Sequence, residues 1–301
     1  MRKTLLTFAA CAMALLQACG GAPEETATET RVLEEGGTGA YKAVMVTEPS
    51  LEAHTIFRPA DLTQFGKKNP LPVLVWGNGA CTNSPWEHVN FLNEIASHGF
   101  IVVATGHMPA EDGGRYFGPM STCEQQIESI DWVIARNEDK ESPYYHKLDV
   151  NAIAAAGMSC GGLQTLMNST DPRIKTIMIC NSGSFIDPST AVPGMPQPTK
   201  DMLDDIKVPI MYLLGGETDI AYINGMDDFS RINQVPAFAA NYPVGHGGTY
   251  AQPHGGEFSV VATAWLEWQL KNDPEAAKMF QGEPCGVAQR EGWTADKKNI
   301  D

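Results

Sequence analysis

Basic residues are scarce in this chain, which carries 21 Lys and Arg against 36 Asp and Glu, a formal net charge of −15. Proteins that bind nucleic acid, or anionic membranes through their surface, rely on clustered Lys and Arg. The sequence has no basic patch with interleaved aromatic residues, so no nucleic-acid partner is expected. It also lacks internal repeats, an HExxH motif, a phosphate-binding loop and zinc-type cysteine spacing. No cofactor or metal is therefore predicted.

An apolar run long enough to span a bilayer is also missing. Residues 4–16 form a short apolar run behind Arg2 and Lys3, as in a secretory signal peptide, and we predict that residues 1–18 are such a signal. The run ends in Leu-Gln-Ala-Cys, which resembles the lipobox of bacterial lipoproteins and predicts acylation of Cys19. We expect an exported protein whose only membrane contact is this anchor, on the periplasmic or cell-surface face. Cleavage after Ala18 and secretion is the alternative.

Residues 19–39 are poor in apolar side chains and rich in Glu, Thr, Ala and Gly. Such a composition cannot bury a core, so we predict a disordered acidic tether. Residues 40–301 then form one domain, for which the 43% hydrophobic content is ample.

Strand-like and helix-like segments alternate through the domain. The strands are predicted at 41–47, 51–58, 70–76, 100–105, 151–156, 175–180, 208–214 and 236–243. Capping boxes predict helices that begin at Ser84 and Ser121, and a last helix covers 257–270. This rhythm predicts an α/β fold: a mostly parallel, eight-stranded sheet with helices on both faces. The sequence indicates no role for the last 30 residues, which include Cys285 and Trp293.

Gly157-Met158-Ser159-Cys160-Gly161 follows the predicted fifth strand and opens a helix. Gly-x-Ser-x-Gly in this setting is typical of a nucleophile elbow, a turn so tight that side chains beside the serine would clash. Ser159 is therefore the candidate nucleophile. A serine needs a base to take its proton and a carboxylate to orient that base.

The acid and the base should follow the serine in chain order, on loops at the carboxyl ends of strands. Asp219 follows the seventh strand and is the candidate acid, with Glu217 as the near alternative. His246, in a glycine-rich loop after the eighth strand, is the candidate base, and its rival is His254. His107 ends the fourth predicted strand and could line the pocket. Asp227 and Asp228 are expected to be charges on a helix surface.

An oxyanion needs hydrogen-bond donors. The backbone N–H of Cys160, at a helix N-terminus, is one candidate, since the helix dipole favours negative charge there. The second is expected from the loop after the third strand, from Asn78 or from its neighbours Gly79 and Ala80.

Together these motifs resemble the α/β-hydrolase superfamily over about residues 41–270, through Trp76-Gly77-Asn78, the elbow, Gly216-Glu217-Thr218-Asp219 and Gly245-His246-Gly247. Within it the chain is similar to the dienelactone-hydrolase and bacterial polyesterase branch. The resemblance implies a serine hydrolase that cleaves small or polymeric carboxylic esters through an acyl-enzyme. The segment 182–207 is too short for a large cap domain, which suggests an open site. An amidase or peptidase with the same residues, or a non-catalytic binding lipoprotein, are the alternatives.

Besides Cys11 and Cys19, the remaining cysteines are odd in number, so at least one thiol stays free unless it pairs between chains. Sequence alone cannot assign their connectivity. We hypothesise that Cys160 pairs with Cys180 and that Cys81 pairs with Cys123. A buried, unpaired Cys160 is the alternative.

Overall fold

The computed structural model describes residues 28–111 and 118–301. The predicted signal peptide, Cys19 and residues 20–27 of the predicted tether lie outside the described residues. Across the described ranges, no helix is both long enough and apolar enough to cross a membrane.

A single sheet organises the domain. Its strands are β1 (Thr30–Arg31), β2 (Ala43–Val46), β3 (His54–Pro59), β4 (Leu71–Gly77), β5 (Ile101–Thr105), β6 (Leu148–Met158), β7 (Ile174–Cys180), β8 (Ile210–Leu214), β9 (Ala237–Asn241) and β10 (Thr294–Lys298). Their order is β1-β2-β3-β5-β4-β6-β7-β8-β9-β10. The block from β5 to β9 is parallel, while the strands at either edge pair antiparallel.

Helices cover both faces of this sheet, which confirms the predicted fold class. They are α1 (Val89–Ser97), α2 (Cys123–Glu138), α3 (Cys160–Met167), α4 (Tyr222–Arg231), α5 (Gly256–Lys271) and α6 (Pro274–Ala277). Side chains of α1 and α5, such as Phe91 and Trp265, pack in one core with Trp76 of β4. Side chains of α2 and α4 pack on the other face around Val73 and Ile177. Parallel strands buried on both faces are the continuous apolar runs seen in the sequence.

The predicted count of eight strands is wrong, because β1 and β10 extend the sheet to ten strands. Both are edge strands. β1 has only 2 residues, and β10 is the polar run Thr-Ala-Asp-Lys-Lys. Short, charged edge strands protect a sheet from further pairing, and they carry little of the apolar pattern by which strands are predicted.

Both predicted helix starts are also displaced. α1 begins at Val89 rather than beside Ser84, because the chain first makes a turn in which the N–H of His88 donates to Pro85 O at 2.8 Å. α2 has Thr122 as its N-cap, one residue after the predicted Ser121, and the Thr122 N–H donates to the Gln125 side chain at 2.9 Å. Capping boxes thus located one helix to within a residue and misplaced the other.

The prediction of a disordered tether is wrong for residues 28–39. Thr30–Arg31 pairs with β2, and the carboxylate of Glu34 accepts from the His254 N–H at 2.8 Å. The N–H of Thr38 donates to Glu94 at 3.0 Å. These contacts are made by polar and backbone groups, so the composition of the segment does not reveal them.

The C-terminal residues complete the far edge of the sheet. Trp293 stacks on Tyr242 with ring centroids 5.0 Å apart, and its indole N–H donates to Glu257 at 2.9 Å. Arg290 pairs with the same carboxylate at 2.7 Å. The segment 182–207 contains two short 3₁₀ turns, Pro188–Thr190 and Lys200–Asp205, and forms no cap domain.

Candidate active site

Ser159 lies between β6 and α3 in a strained backbone conformation. Its φ of 52° and ψ of −114° fall in a region that a residue with a side chain rarely adopts. A Cβ on Gly157 would lie 2.3 Å from the backbone of Gly161, and a Cβ on Gly161 would lie 2.1 Å from that of Gly77. Only glycine fits at either position, which is the physical content of the elbow pattern.

The structure brings Ser159, His246 and Asp219 together from loops after three different strands. The Nε2 atom of His246 lies 3.0 Å from Ser159 Oγ, and its Nδ1 atom lies 2.6 Å from Asp219 Oδ1. With Nδ1–H donating to the carboxylate, Nε2 is left as the acceptor that faces the hydroxyl. The His246 side chain is 27% exposed and that of Asp219 is fully buried.

Asp219 is held as a carboxylate by donors on several sides. Burial alone would raise its pKa, but hydrogen bonds from His246, from the backbone N–H groups of Ala221 and Gly215, and from the Asn181 side chain bring the pKa below its ordinary value. These donors lie 2.6, 2.9, 3.1 and 2.7 Å from the carboxylate oxygens. The acid therefore stays ionised and fixes the orientation of the imidazole.

Asn181 and Tyr250 belong to the hydrogen-bond network of the candidate site but are not among the residues predicted from the sequence. The Asn181 amide donates to Asp219, and its own carbonyl accepts from the Tyr250 hydroxyl at 2.5 Å. Asn181 directly follows β7, so it sits at the same edge of the sheet as the other site residues. A polar side chain at the end of a buried parallel strand was the signal that could have found it.

The alternative candidates occupy other environments. The His254 ring lies 3.5 Å from both Glu34 and Glu94, at the packing contact of the N-terminal segment. Glu217 is exposed. His107 follows β5, and its backbone N–H donates to Asn83 O at 2.9 Å.

The expectation that Asp228 is a helix-surface charge is wrong. Its side chain is fully buried and pairs with Lys200 at 2.6 Å. Its neighbour Asp227, which is partly exposed, pairs with the same lysine at 2.7 Å.

Asn78 and Cys160 stand at the ends of two adjacent elements. The N–H of Gly161 donates to Asn78 O at 3.0 Å, which brings the loop after β4 against the start of α3. The Asn78 side chain is committed to this loop, since its Nδ2 donates to Thr105 O at 2.6 Å and to Thr82 O at 2.9 Å. Its part in an oxyanion hole would therefore fall to the backbone N–H.

Residues 73–280, more than half of the chain, match the family described as PETase, PET hydrolase-like. The chain belongs to the PET hydrolase-like family. The family implies the α/β-hydrolase fold and, in general terms, a serine hydrolase of carboxylic esters. A comparison with curated proteins found no significant match to the chain.

This PET hydrolase-like chain has a disulfide between Cys81 and Cys160, with Cα atoms 5.1 Å apart. Both hypothesised pairings are therefore wrong. β4 and β6 are neighbours in the sheet, so the loops that follow them meet although the cysteines are 79 residues apart in sequence. Three cysteines among the described residues are free, namely Cys123, Cys180 and Cys285.

A small apolar cavity opens beside the nucleophile of this PET hydrolase-like protein. Its volume is about 150 Å³, and Ser159 and His246 form part of its wall. The apolar wall includes Leu163, Phe185, Val192, Met195 and Ile220. Ile220 is 81% exposed, so the cavity lies under an open, apolar rim.

Within residues 28–111 and 118–301, no cluster of three or more His, Cys, Asp or Glu side chains is arranged to hold a metal ion.

Proposed function

We propose that this protein hydrolyses carboxylic esters through a covalent acyl-enzyme on Ser159. The observation that carries the proposal is the continuous hydrogen-bonded line from Ser159 Oγ through His246 to the buried carboxylate of Asp219, with distances of 3.0 and 2.6 Å. A hydroxyl, an imidazole and an ionised acid in this geometry are the parts that nucleophilic acyl transfer requires.

In the first step, His246 Nε2 takes the proton from Ser159 Oγ as that oxygen bonds to the ester carbonyl carbon. The carbonyl oxygen becomes an oxyanion, which the backbone N–H groups of Cys160 and Asn78 stabilise. The tetrahedral intermediate collapses as the C–O bond to the alcohol breaks, and His246 gives its proton to the departing alkoxide. The acyl group remains on Ser159.

In the second step, His246 takes a proton from water, whose oxygen attacks the acyl carbon. Collapse of this intermediate returns a proton to Ser159 Oγ and releases the carboxylic acid. Asp219 remains ionised throughout and stabilises the imidazolium that forms twice in each turnover.

Bulky or polymeric esters are the substrate class we propose. The family's own description names hydrolysis of a polyester, and the segment 182–207 leaves the site without a cap domain. The exposed side chain of Ile220 beside the cavity suits contact with an apolar substrate surface.

For its location, we propose export and anchoring through an acylated Cys19, on the lipobox-like sequence alone. Replacing Cys19 by Ser should move the protein from the membrane fraction to the soluble fraction, because acyl chains supply ~0.8 kcal/mol per buried CH₂. A protein already secreted with Cys19 intact would contradict the anchor.

Hydrolysis of a short-chain aryl ester by wild type and by Ser159→Ala tests the mechanism. We expect a loss of about 10⁴-fold or more in kcat, the scale of losing a member of such a triad. Unchanged turnover in Ser159→Ala would contradict the proposed mechanism. A protein that folds and binds an ester without turning it over would favour the non-catalytic alternative, and turnover of amides alone would favour an amidase.

A further inference from the structure

The segment between β7 and β8 is tied at both ends to one buried carboxylate. The backbone N–H and the hydroxyl of Ser184 donate to Asp228 at 2.7 and 2.5 Å. Lys200, at the other end of the segment, pairs with the same side chain at 2.6 Å. Asp228 lies on α4 and is fully buried. Residues 184–200 therefore form a loop whose two ends are fixed against α4.

Two cavities adjoin this loop, and they share one lining residue. The cavity beside Ser159 has a volume of about 150 Å³, and a second cavity has a volume of about 230 Å³. Phe185 lines both of them. Phe185 therefore forms part of the boundary of each cavity.

The sizes indicate what each cavity can hold. An apolar cavity of ~150 Å³ holds one molecule the size of benzene. The cavity beside Ser159 thus encloses only the first few carbons of an acyl group, and the rest of a longer group lies outside it. The two cavities together reach the lower end of the ~300–1,000 Å³ typical of small-molecule sites.

The wall of the second cavity favours an uncharged, apolar occupant. Phe185, Ile186, Pro188 and Ala191 supply its apolar part. Lys200 also lines it, but the ammonium is neutralised by two carboxylates at 2.6 and 2.7 Å. Asp201, an exposed acid, adds negative charge at the rim. An anionic ligand would therefore be disfavoured.

We propose that the second cavity is a subsite for the distal part of a medium-length acyl chain, and that Phe185 determines how long a chain the enzyme accepts. The acyl group is the occupant because it stays bonded to Ser159 in the first cavity during both steps, whereas the alcohol leaves after the first. This inference rests on the proposed ester hydrolysis.

The test measures kcat/KM for p-nitrophenyl esters from acetyl to dodecanoyl, and the readout is the octanoyl-to-acetyl ratio. Phe185→Ala opens the boundary and should raise the ratio about tenfold, the effect of burying roughly two further methylenes. Ala191→Trp fills the second cavity and should lower the ratio. The double variant should lose the gain of Phe185→Ala.

Val260→Trp is the matched control, because it places the same bulky ring on α5, where Val260 is 43% exposed. It should leave the ratio unchanged. Thermal unfolding of each variant checks that it is folded.

The inference fails if acetyl-ester turnover depends on Ser159 but the octanoyl-to-acetyl ratio is the same in wild type, Phe185→Ala and Ala191→Trp. It also fails if the ratio responds only when the alcohol is lengthened and the acyl group is held constant. If Ser159→Ala turns over the acetyl ester as fast as wild type, the proposed function itself has failed. The two failures are therefore distinguishable.

Discussion

Cys160, the residue that follows the candidate nucleophile, is covalently bonded to Cys81 in the loop after β4. The bond joins the two elements whose backbone N–H groups, of Cys160 and Asn78, we propose as oxyanion donors. Ala80 and Cys81 have positive φ values of 51° and 49°, which residues with side chains adopt at a cost. The disulfide holds this strained loop against the start of α3.

Removal of the disulfide should therefore lower kcat as well as stability. For Cys81→Ser/Cys160→Ser we expect kcat to fall by about 10- to 100-fold with little change in KM, as a donor displaced by about 1 Å would cause. The free energy of unfolding should fall by about 2–5 kcal/mol. Steady-state kinetics and denaturant unfolding measure the two effects.

Cys123→Ser is the control for this pair, since Cys123 is a free cysteine. It should match wild type in both measurements. A double variant that loses stability but keeps the wild-type kcat at a temperature where it is folded would show that the disulfide does not position the donors.

Removal of the Asn181 amide should destabilise the ionised carboxylate of Asp219 while leaving that residue in place. In Asn181→Ala, Asp219 loses a donor at 2.7 Å, so its pKa should rise. We expect kcat/KM to fall by about 10- to 100-fold, the equivalent of a hydrogen bond to a charged group. The acid limb of the pH–rate profile should also move to higher pH.

Tyr250→Phe serves as the comparison, because it removes the hydroxyl that contacts Asn181 and leaves the Asn181–Asp219 hydrogen bond in place. It should shift the acid limb less. Identical acid limbs in the two variants and in wild type would contradict a positioning role for Asn181.

Stability should depend on pH through Asp219. Its folded-state pKa lies below the ordinary value, so its ionised form contributes stability above the ordinary pKa of ~3.9. That contribution is lost as the pH falls through the folded-state value. In Asp219→Asn, the free energy of unfolding should therefore fall less steeply than in wild type as the pH is lowered, as measured by urea denaturation. An acid limb as steep as in wild type would contradict this prediction.

The titration of His98 should lower the stability of the protein as the pH rises, on the alkaline side. The carboxylates of Glu267 and Glu94, whose oxygens lie 3.7 and 3.2 Å from the ring nitrogens of His98, raise its pKa to about 9 against the opposing effect of burial. A raised histidine pKa contributes stability that is complete below the ordinary pKa of ~6.5 and is lost as the pH rises through about 9.

The matched variant is His98→Gln, which keeps a polar side chain without the titration. Between about pH 6 and pH 10, wild type should lose on the order of 1 kcal/mol of unfolding free energy more than the variant. Urea denaturation at the two pH values measures the difference, and parallel losses in both proteins would contradict it.

The sequence predicted the features that repeat regularly or obey chain order. Buried parallel strands are continuous apolar runs, so the central strands were located from β-branched residues. Ser159, Asp219 and His246 each follow such a strand, and parallel strands bring their carboxyl ends to one edge of the sheet. The positions of these three side chains relative to one another follow from that topology.

The features that could not be predicted from the sequence depend on contacts between residues that are distant in the chain. β10 carries little apolar pattern because it is an edge strand, and residues 28–39 are ordered through polar contacts with α1 and His254. The Cys81–Cys160 pairing depends on β4 lying beside β6, which chain order does not reveal. Asn181 differs from these features, because its position directly after β7 is a signal that the sequence does carry.

Covalent labelling by a fluorophosphonate tests the central claim most directly, because the probe reacts preferentially with an activated serine. The labelled protein is digested and the modified residue is located by mass spectrometry, with His246→Ala and His254→Ala treated in parallel. We predict one adduct, on Ser159, that is retained in His254→Ala and strongly reduced in His246→Ala. No adduct in the folded wild-type protein, or labelling that is lost in His254→Ala and kept in His246→Ala, would contradict the account.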